Sequence, residues 1–265
     1  MMNLVKCVRA GLALGVISAI AAGTAQAGSI HMDLTIGATT ISIDKGGFYD
    51  TASPLDPNRI TVNTDALNAT LAGLGYGNLT FTQLGTNSNN VGDPAGATLI
   101  SGGDASVTSG SVSFTVVAYQ TDFFIPSGSD GTMASSAGGS FTKTSTGDGT
   151  TFTSYFDPSN AAVTTAPPAI PSSPLAFAAP NTSSNAGYGN LNPLITPLGT
   201  VIPGYAVVNQ LDITVSGSTS KVGDINFSGT TVIFAAVPEP TSVVMMLSAM
   251  PMALGLVHYR RRRMG

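Results

Sequence analysis

The stretch IHMDLTI, residues 30–36, alternates apolar and polar side chains without a break. Successive side chains of a β-strand point to opposite faces of its sheet, so this alternation is typical of a strand with one buried and one solvated face. The alternation therefore predicts a half-buried β-strand at residues 30–36.

Similar alternating runs recur along the chain and are rich in Thr, Val, Ile and Phe, which suit a pleated surface. They lie at residues 39–43, 79–84, 111–119, 140–144, 151–156, 210–216, 224–227 and 231–235. Glycine-rich stretches that indicate turns separate them, at residues 45–47, 102–104, 147–149 and 217–218. Many short strands joined by such turns predict an all-β domain, a β-sandwich or jelly roll, over residues 28–236.

Two segments depart from the alternation. Residues 65–75 carry leucines at helical spacing and predict one short helix, with Thr64 or Asp65 as its N-cap. Residues 161–203 contain eight prolines, a density that excludes helices and central strands. We expect a long Pro-rich loop packed on a single domain there, in preference to a linker between two domains.

Charge is sparse and one-sided. Charged residues make up 9% of the 265 residues, against about 25% in an average protein. Residues 28–240 hold all 14 acidic groups and four basic ones, which gives this part of the chain a net charge of −10. Such a domain repels nucleic acid and anionic membrane surfaces, so no nucleic-acid partner is expected.

The N-terminal segment has the layout of a signal peptide. Lys6 and Arg9 precede a short apolar run at residues 10–22, and small residues then flank the expected cleavage point at Ala25 and Ala27. The apolar run is too short for a membrane span, which needs about 20 residues. We therefore expect signal peptidase to remove residues 1–27, and with them Cys7, the single cysteine of the chain.

The C-terminal segment has three parts in a fixed order. Val237-Pro238-Glu239-Pro240 is held extended and non-helical by its prolines. Residues 241–259 carry no charge, and as a transmembrane helix they would cover about 28 Å, close to one hydrocarbon core. A basic cluster follows and holds that end in the cytoplasm; it consists of Arg260, Arg261, Arg262 and Arg263.

This order, over residues 237–264, resembles the PEP-CTERM sorting signal. The resemblance implies that exosortase, a membrane-embedded cysteine transpeptidase, recognises the motif Pro238, Glu239 and Pro240 and removes the helix. It also implies a bacterium that makes exopolysaccharide, and a role in biofilm or floc matrix. A permanent single-pass anchor is the alternative interpretation of the same segment.

Residues that carry chemistry are few. His31 is the lone histidine of the exported part, and no Glu precedes Glu239, so neither a zinc site, a catalytic triad nor the carboxylate pair of a glycosidase is predicted. The sequence predicts no catalytic, cofactor-binding or metal residue. Loop aspartates are expected to cap their own backbone and leave room for structural calcium; they are Asp50, Asp56, Asp93 and Asp157, with Asp122 as a further candidate.

Sugar binding usually relies on exposed aromatic rings, and the chain has no Trp. Its candidate platforms are Tyr49, Tyr76, Tyr155, Tyr188 and Tyr205.

The sequence as a whole favours a secreted, non-enzymatic surface or matrix protein. It would be anchored transiently in the inner membrane, processed by exosortase and then associated with exopolysaccharide at the cell surface. The alternative is a lectin-like carbohydrate-binding module or, less favoured, a secreted enzyme with the same tag.

Overall fold

The computed structural model describes residues 28–90, 92, 95–143, 145–161, 169–179, 185–218 and 220–236. In these ranges the chain forms one helix, α1 (Thr64–Gly73), and fourteen strands. The strands are β1 (Ile30–Ile36), β2 (Thr39–Asp44), β3 (Arg59–Thr61), β4 (Leu79–Ser88), β5 (Ala97–Val107), β6 (Gly110–Phe123), β7 (Gly128–Thr142), β8 (Gly149–Asp157), β9 (Ile170–Pro171), β10 (Leu175–Ala178), β11 (Asn185–Gly189), β12 (Leu194–Val201), β13 (Tyr205–Gly217) and β14 (Gly223–Ala236).

The strands form two antiparallel sheets that pack face to face. Sheet A has the order β10–β8–β13–β6–β1–β2, and β9 also pairs with β8. Sheet B has the order β11–β7–β14–β5–β4–β3, and β12 also pairs with β7. The prediction of an all-β sandwich with one short helix is confirmed.

The core lies between the two sheets and is built from alternate residues of each strand. In β1 the four apolar side chains are buried and His31, Asp33 and Thr35 face outward, as the alternation predicts. Three buried rings connect the sheets: Phe81 of β4 and Phe227 of β14 each contact Phe114 of β6, at centroid distances of 5.3 and 6.1 Å.

A buried polar network also joins the sheets. Asn209 of β13 donates from Nδ2 to the carbonyl oxygens of Leu99 at 3.0 Å and Gly229 at 3.3 Å, on the opposite sheet. Thr231 of β14 donates its hydroxyl to Asn209 Oδ1 and also contacts the hydroxyl of Ser154 in β8. Because these three side chains are fully buried, each hydrogen bond replaces one that water would have supplied.

The N-cap of helix α1 differs from the predicted one. Its N-cap is Asn63, whose side chain accepts a hydrogen bond from the backbone N–H of Ala66 at 3.1 Å. The predicted caps Thr64 and Asp65 are therefore wrong, because both already lie inside the first turn. Leu67 and Leu71 are buried against sheet B.

Several predicted turns and breaks lie inside long strands. Residues 102–104 were expected to form a turn but lie in the middle of β5, and the runs 224–227 and 231–235 belong to one strand, β14. A Cβ at Gly102 would lie 2.5 Å from the carbonyl oxygen of Phe227. Glycine at this position therefore serves close strand approach rather than chain reversal.

The Pro-rich segment 161–203 forms four short strands in its described part, so the prediction of a loop is wrong there. Strands β9 and β10 form one edge of sheet A, and β11 and β12 form one edge of sheet B. Pro171 lies in β9 and Pro197 in β12. The exclusion of central strands is confirmed, because a proline that donates no hydrogen bond is tolerated at a sheet edge.

The predicted signal peptide 1–27 and sorting signal 237–264 lie outside the described residues. Within the ranges that the structure describes, no helix is long and apolar enough to cross a membrane.

Replacing Asn209 with Ala should lower the free energy of unfolding by about 2 kcal/mol, because two carbonyl oxygens and the Thr231 hydroxyl lose a buried partner. Ser111→Ala, at an exposed position of β6, is the matched control and should change stability by less than about 0.5 kcal/mol. Urea unfolding followed by circular dichroism measures both. Equal stability of the two variants would contradict a structural role for the network.

Candidate functional site

A groove crosses the outer face of sheet B at right angles to the strands. Gly85 of β4 pairs with Gly102 of β5, Gly102 pairs with Ser228 of β14, and Ser228 pairs with Gly138 of β7. Because this row carries three glycines and one serine, its backbone is left almost uncovered. The groove lies over the β4, β5 and β14 positions of this row and has a volume of about 650 Å³.

The neighbouring rows form the walls of the groove. Arg59, Asn87 and Ile100 are paired with one another on one side of the glycine row. Gln83 and Asn226 lie on the other side, in register with Asp104 between them. The wall positions are exposed, with the side chain of Ile100 42% exposed, and Asn226 donates to Asp104 across the strands.

A polar side-chain atom without a partner lies beneath the groove, on the core side of sheet B. Ser101 is 1% exposed, and its hydroxyl makes no hydrogen bond within the described part of the chain. A buried hydroxyl without a partner costs free energy unless a ligand or water satisfies it. Ser101 alternates with the outward-facing Ile100 and Gly102, so its hydroxyl lies on the core side of the sheet and is not reached from the groove.

The chemistry of the groove suits an uncharged, hydroxyl-rich chain. Amide side chains both donate and accept hydrogen bonds, as hydroxyl groups do, and Ile100 offers apolar contact. The lining residues lie on four adjacent strands, β3, β4, β5 and β14, which span three strand spacings, about 14 Å at about 4.8 Å each. Arg59 is the one cation in the walls described above, so a polyanion finds little compensation here.

Sequence analysis did not find this groove, because it depends on which residues of different strands lie side by side. Glycines within β4, β5 and β7 were a signal, but an isolated glycine in a strand is equally consistent with a bulge or a turn.

A second cluster lies on the outer face of sheet A around His31, which sequence analysis treated as a lone surface histidine. Its Nδ1 lies 2.5 Å from Asp44 Oδ1 and its Nε2 lies 3.0 Å from Asp33 Oδ1. Ser42 donates to the same oxygen of Asp33, and the ring of Tyr119 packs at 4.7 Å. Both ring nitrogens thus face carboxylates, which favours the imidazolium form.

The electrostatics of the cluster follow from this geometry. The hydrogen bond to Asp33 raises the pKa of His31, against burial, which lowers it, and the charges of Asp33 and Asp44 raise it further. The pKa of Asp33 is lowered chiefly by the same hydrogen bond. The cluster ties edge strand β2 to β1 and leaves neither ring nitrogen available as a general base.

The five tyrosines proposed as exposed platforms are not exposed, so this part of the sequence prediction is wrong. Tyr205 is fully buried, Tyr188 packs against Phe141 and Phe177 at 4.6 and 5.0 Å, and burial raises the pKa of both phenols. The hydroxyls of the other three contact protein atoms; these tyrosines are Tyr49, Tyr76 and Tyr155. The rings of Tyr49 and Tyr76 pack at the margins of the core, and Tyr155 lies half-buried on the outer face of sheet A.

Three of the loop aspartates cap the backbone as predicted. Asp50 accepts a hydrogen bond from the backbone N–H of Ala52. Asp56 and Asp157 likewise each accept from the backbone N–H two positions further along the chain. Burial raises the pKa of Asp50, but hydrogen bonds, among them one from Lys45, outweigh it and lower the pKa.

The other acidic candidates form no metal centre. Asp122 is held by the side chain of Asn160, and Asp93 lies outside the described residues. Across the ranges that the structure describes, no three His, Cys, Asp or Glu side chains come together to hold a metal ion.

The residues of the predicted processing sites all lie outside the described residues; they are Ala25, Ala27, Pro238, Glu239, Pro240 and the arginines at 260–263. Strand β14 ends at Ala236, so the Pro-Glu-Pro motif begins two residues beyond it.

No protein-family model and no curated protein matches the chain. Among solved structures, the carbohydrate-binding module TmCBM61 in complex with β-1,4-galactotriose matches 60% of this chain and 87% of its own, at 10% identity and a TM-score of 0.23. A CBM4 structure matches 48% and 78%, at 11% identity and a TM-score of 0.18.

The structure of infectious bursal disease virus, Gx strain, matches 82% of this chain and 54% of its own, at 14% identity and a TM-score of 0.26. TM-scores this low do not establish a common fold. The assignment to the β-sandwich class therefore comes from the strand pairing of this chain itself.

The His31 cluster makes stability depend on pH. Because its pKa is raised in the fold, protonated His31 stabilises the protein fully below the ordinary value of 6.5, and this contribution is lost as the pH rises through the raised pKa. We expect the melting temperature to fall as the pH rises above the ordinary pKa of 6.5, and to fall less in His31→Gln. Calorimetry at several pH values measures this; parallel profiles of the two proteins would contradict it.

Proposed function

We propose that this protein is an exported, non-enzymatic binder of neutral polysaccharide that is retained in the extracellular matrix. The groove across sheet B is the observation that carries the proposal. Its floor of bare backbone admits an extended chain, and its walls offer the amides of Gln83, Asn87 and Asn226 to hydroxyl groups.

Charge supports a neutral ligand over an acidic one. The net charge of −10 over residues 28–240 opposes the approach of a polyanion, and Arg59 supplies one compensating charge in the groove. A neutral sugar chain is not repelled by this negative charge.

A non-enzymatic role agrees with the environment of the titratable groups. Both nitrogens of His31 are engaged by Asp33 and Asp44, and the described residues up to Ala236 contain no glutamate. The groove thus has the groups to hold a chain without a nucleophile or acid–base pair to cleave it.

Retention in the matrix rests on the C-terminal sequence. The Pro-Glu-Pro motif, apolar run and arginine cluster resemble the PEP-CTERM signal, with exosortase as the processing enzyme. Strand β14 is paired on both sides, with β5 and β7, so the motif leaves the domain from a fixed central strand. Cleavage beside Pro238–Pro240 would then release an intact sandwich.

The processing step predicts that the mature protein lacks residues 241–265. Mass spectrometry of the C-terminus of protein recovered from the producing cells should find no peptide that contains Arg260–Arg263. Glu239→Ala should block the cleavage and leave the protein in the membrane fraction. A wild-type protein that still carries the arginines would identify the segment as a permanent anchor.

Blocking the groove should weaken polysaccharide binding. Ser228→Leu places a bulky side chain on the exposed floor of the groove, and Gln83→Ala with Asn87→Ala removes two wall amides. Each change should lower the affinity of this groove by about tenfold or more. The probe is the neutral fraction of the cells' exopolysaccharide, which passes unretained through an anion-exchange column, and affinity electrophoresis with the full chain in detergent measures binding.

The matched control is Ser106→Leu, on the outer face of the same sheet but outside the groove. It should bind as the wild type does. Equal retardation of Ser228→Leu and Ser106→Leu would rule out this groove as the binding site.

A further inference from the structure

We propose that the outer face of sheet A carries a second polysaccharide groove, so that a single molecule bridges two chains and cross-links the matrix. This inference rests on the proposed function of the groove in sheet B, hereafter groove B. The second groove is called groove A.

Groove A repeats the construction of groove B on the other sheet. Ser113 of β6 pairs with Thr214 of β13, Thr214 pairs with Gly149 of β8, and Gly149 pairs with Ala178 of β10. This row of small residues crosses four strands and leaves a groove of about 650 Å³, the same volume as groove B. Two grooves of one size thus cross the two outer faces of one sandwich.

A buried acceptor in groove A has no partner. Asp148 lines the groove and is 2% exposed, and its Oδ2 accepts from the N–H of Ser145 at 2.6 Å. Its Oδ1 makes no hydrogen bond within the described ranges of the chain. Because this oxygen is shielded from solvent, a ligand does not reach it directly, but the carboxylate adds negative charge beneath groove A and so disfavours an anionic occupant.

The wall of groove A adds a second carboxylate that is fixed in place. Asp212 of β13 accepts from the hydroxyl of Thr115 at 2.7 Å and from the amide of Gln210 at 2.9 Å. These contacts hold the carboxylate at the edge of the small-residue row, where its remaining acceptor capacity meets hydroxyl donors. An acceptor-rich groove of this kind repels phosphate or uronate groups and favours an uncharged sugar chain.

The two grooves lie back to back across the core. Phe114 lines groove A, Phe227 lines groove B, and their ring centroids are 6.1 Å apart. Gly229, next to the floor residue Ser228, lies against the ring of Phe152, where a Cβ would come within 2.3 Å of the ring. The floors are thus separated by about one layer of packed side chains, about 10 Å.

This arrangement decides what the two grooves do together. They open in opposite directions, so a stiff polysaccharide segment that lies in one cannot turn back into the other. When both grooves are occupied, one domain therefore joins two polysaccharide segments. The high effective concentration of the joined segments then strengthens further contacts between the same polysaccharide chains.

The test uses the full chain inserted singly into lipid nanodiscs and the same neutral exopolysaccharide fraction. Ser113→Leu fills groove A at an exposed position, and Ser111→Leu, two residues along the same strand and face, is its matched control. Ser228→Leu and Ser106→Leu form the corresponding pair for groove B. Affinity electrophoresis measures binding and multi-angle light scattering measures cross-linking.

Wild type and both control variants should form complexes many times larger than the polysaccharide alone. Ser113→Leu and Ser228→Leu should each still bind, with about half the wild-type capacity, and should form no large complexes. The double variant should not bind.

Two results would overturn the inference in distinguishable ways. If Ser113→Leu cross-links or binds as the wild type does while Ser228→Leu abolishes binding, groove A is not a site and groove B stands. If the wild type does not bind, or Ser228→Leu leaves binding unchanged, the proposed function fails and the bridging role fails with it.

Discussion

The contact between Phe114 of sheet A and Phe227 of sheet B is the interaction on which the rest of the structure depends. Both rings are buried, and with Phe81 they fill the centre of the core at centroid distances of 5.3 and 6.1 Å. A core without disulfides has to hold two sheets in register by packing and hydrogen bonds alone, and aromatic rings bury the most apolar area per residue. Asn209 adds direction to that packing, because its amide reaches carbonyl oxygens of the facing sheet.

This core explains why the outer faces can remain so bare. A row of glycine, serine and alanine contributes little to stability, and glycine weakens a strand interior. The central rings and the paired strands beneath the rows supply the missing stabilisation, so the outer face is free to expose backbone as a groove. At one edge of each sheet, strands β9 to β12 cover the outermost hydrogen-bonding groups of β7 and β8, and β9 and β12 carry a proline. This arrangement discourages association through open sheet edges.

The sequence predicted those features that depend on local pattern. The alternation at residues 30–36 correctly places His31, Asp33 and Thr35 on the outer face. The helical spacing of the leucines correctly places them on the buried side of α1. The aspartates expected to cap their own backbone do so at Asp50, Asp56 and Asp157. Features that depend on the pairing of distant strands could not be predicted. Gly102 looked like a turn because its closeness to Phe227 becomes visible only when β5 lies beside β14, and the tyrosines looked like platforms because their burial is set by residues far away in sequence. The His31 cluster was missed for the same reason, since Asp44 reaches it from the next strand.

The central claim is that a neutral polysaccharide lies in the groove across sheet B, and hydrogen–deuterium exchange of the full chain in detergent tests it most directly. With the neutral exopolysaccharide fraction at saturation, the account predicts slower exchange in residues 83–87, 100–103 and 226–228, which line the groove from three different strands. Saturated binding with unchanged exchange in all three segments would contradict it.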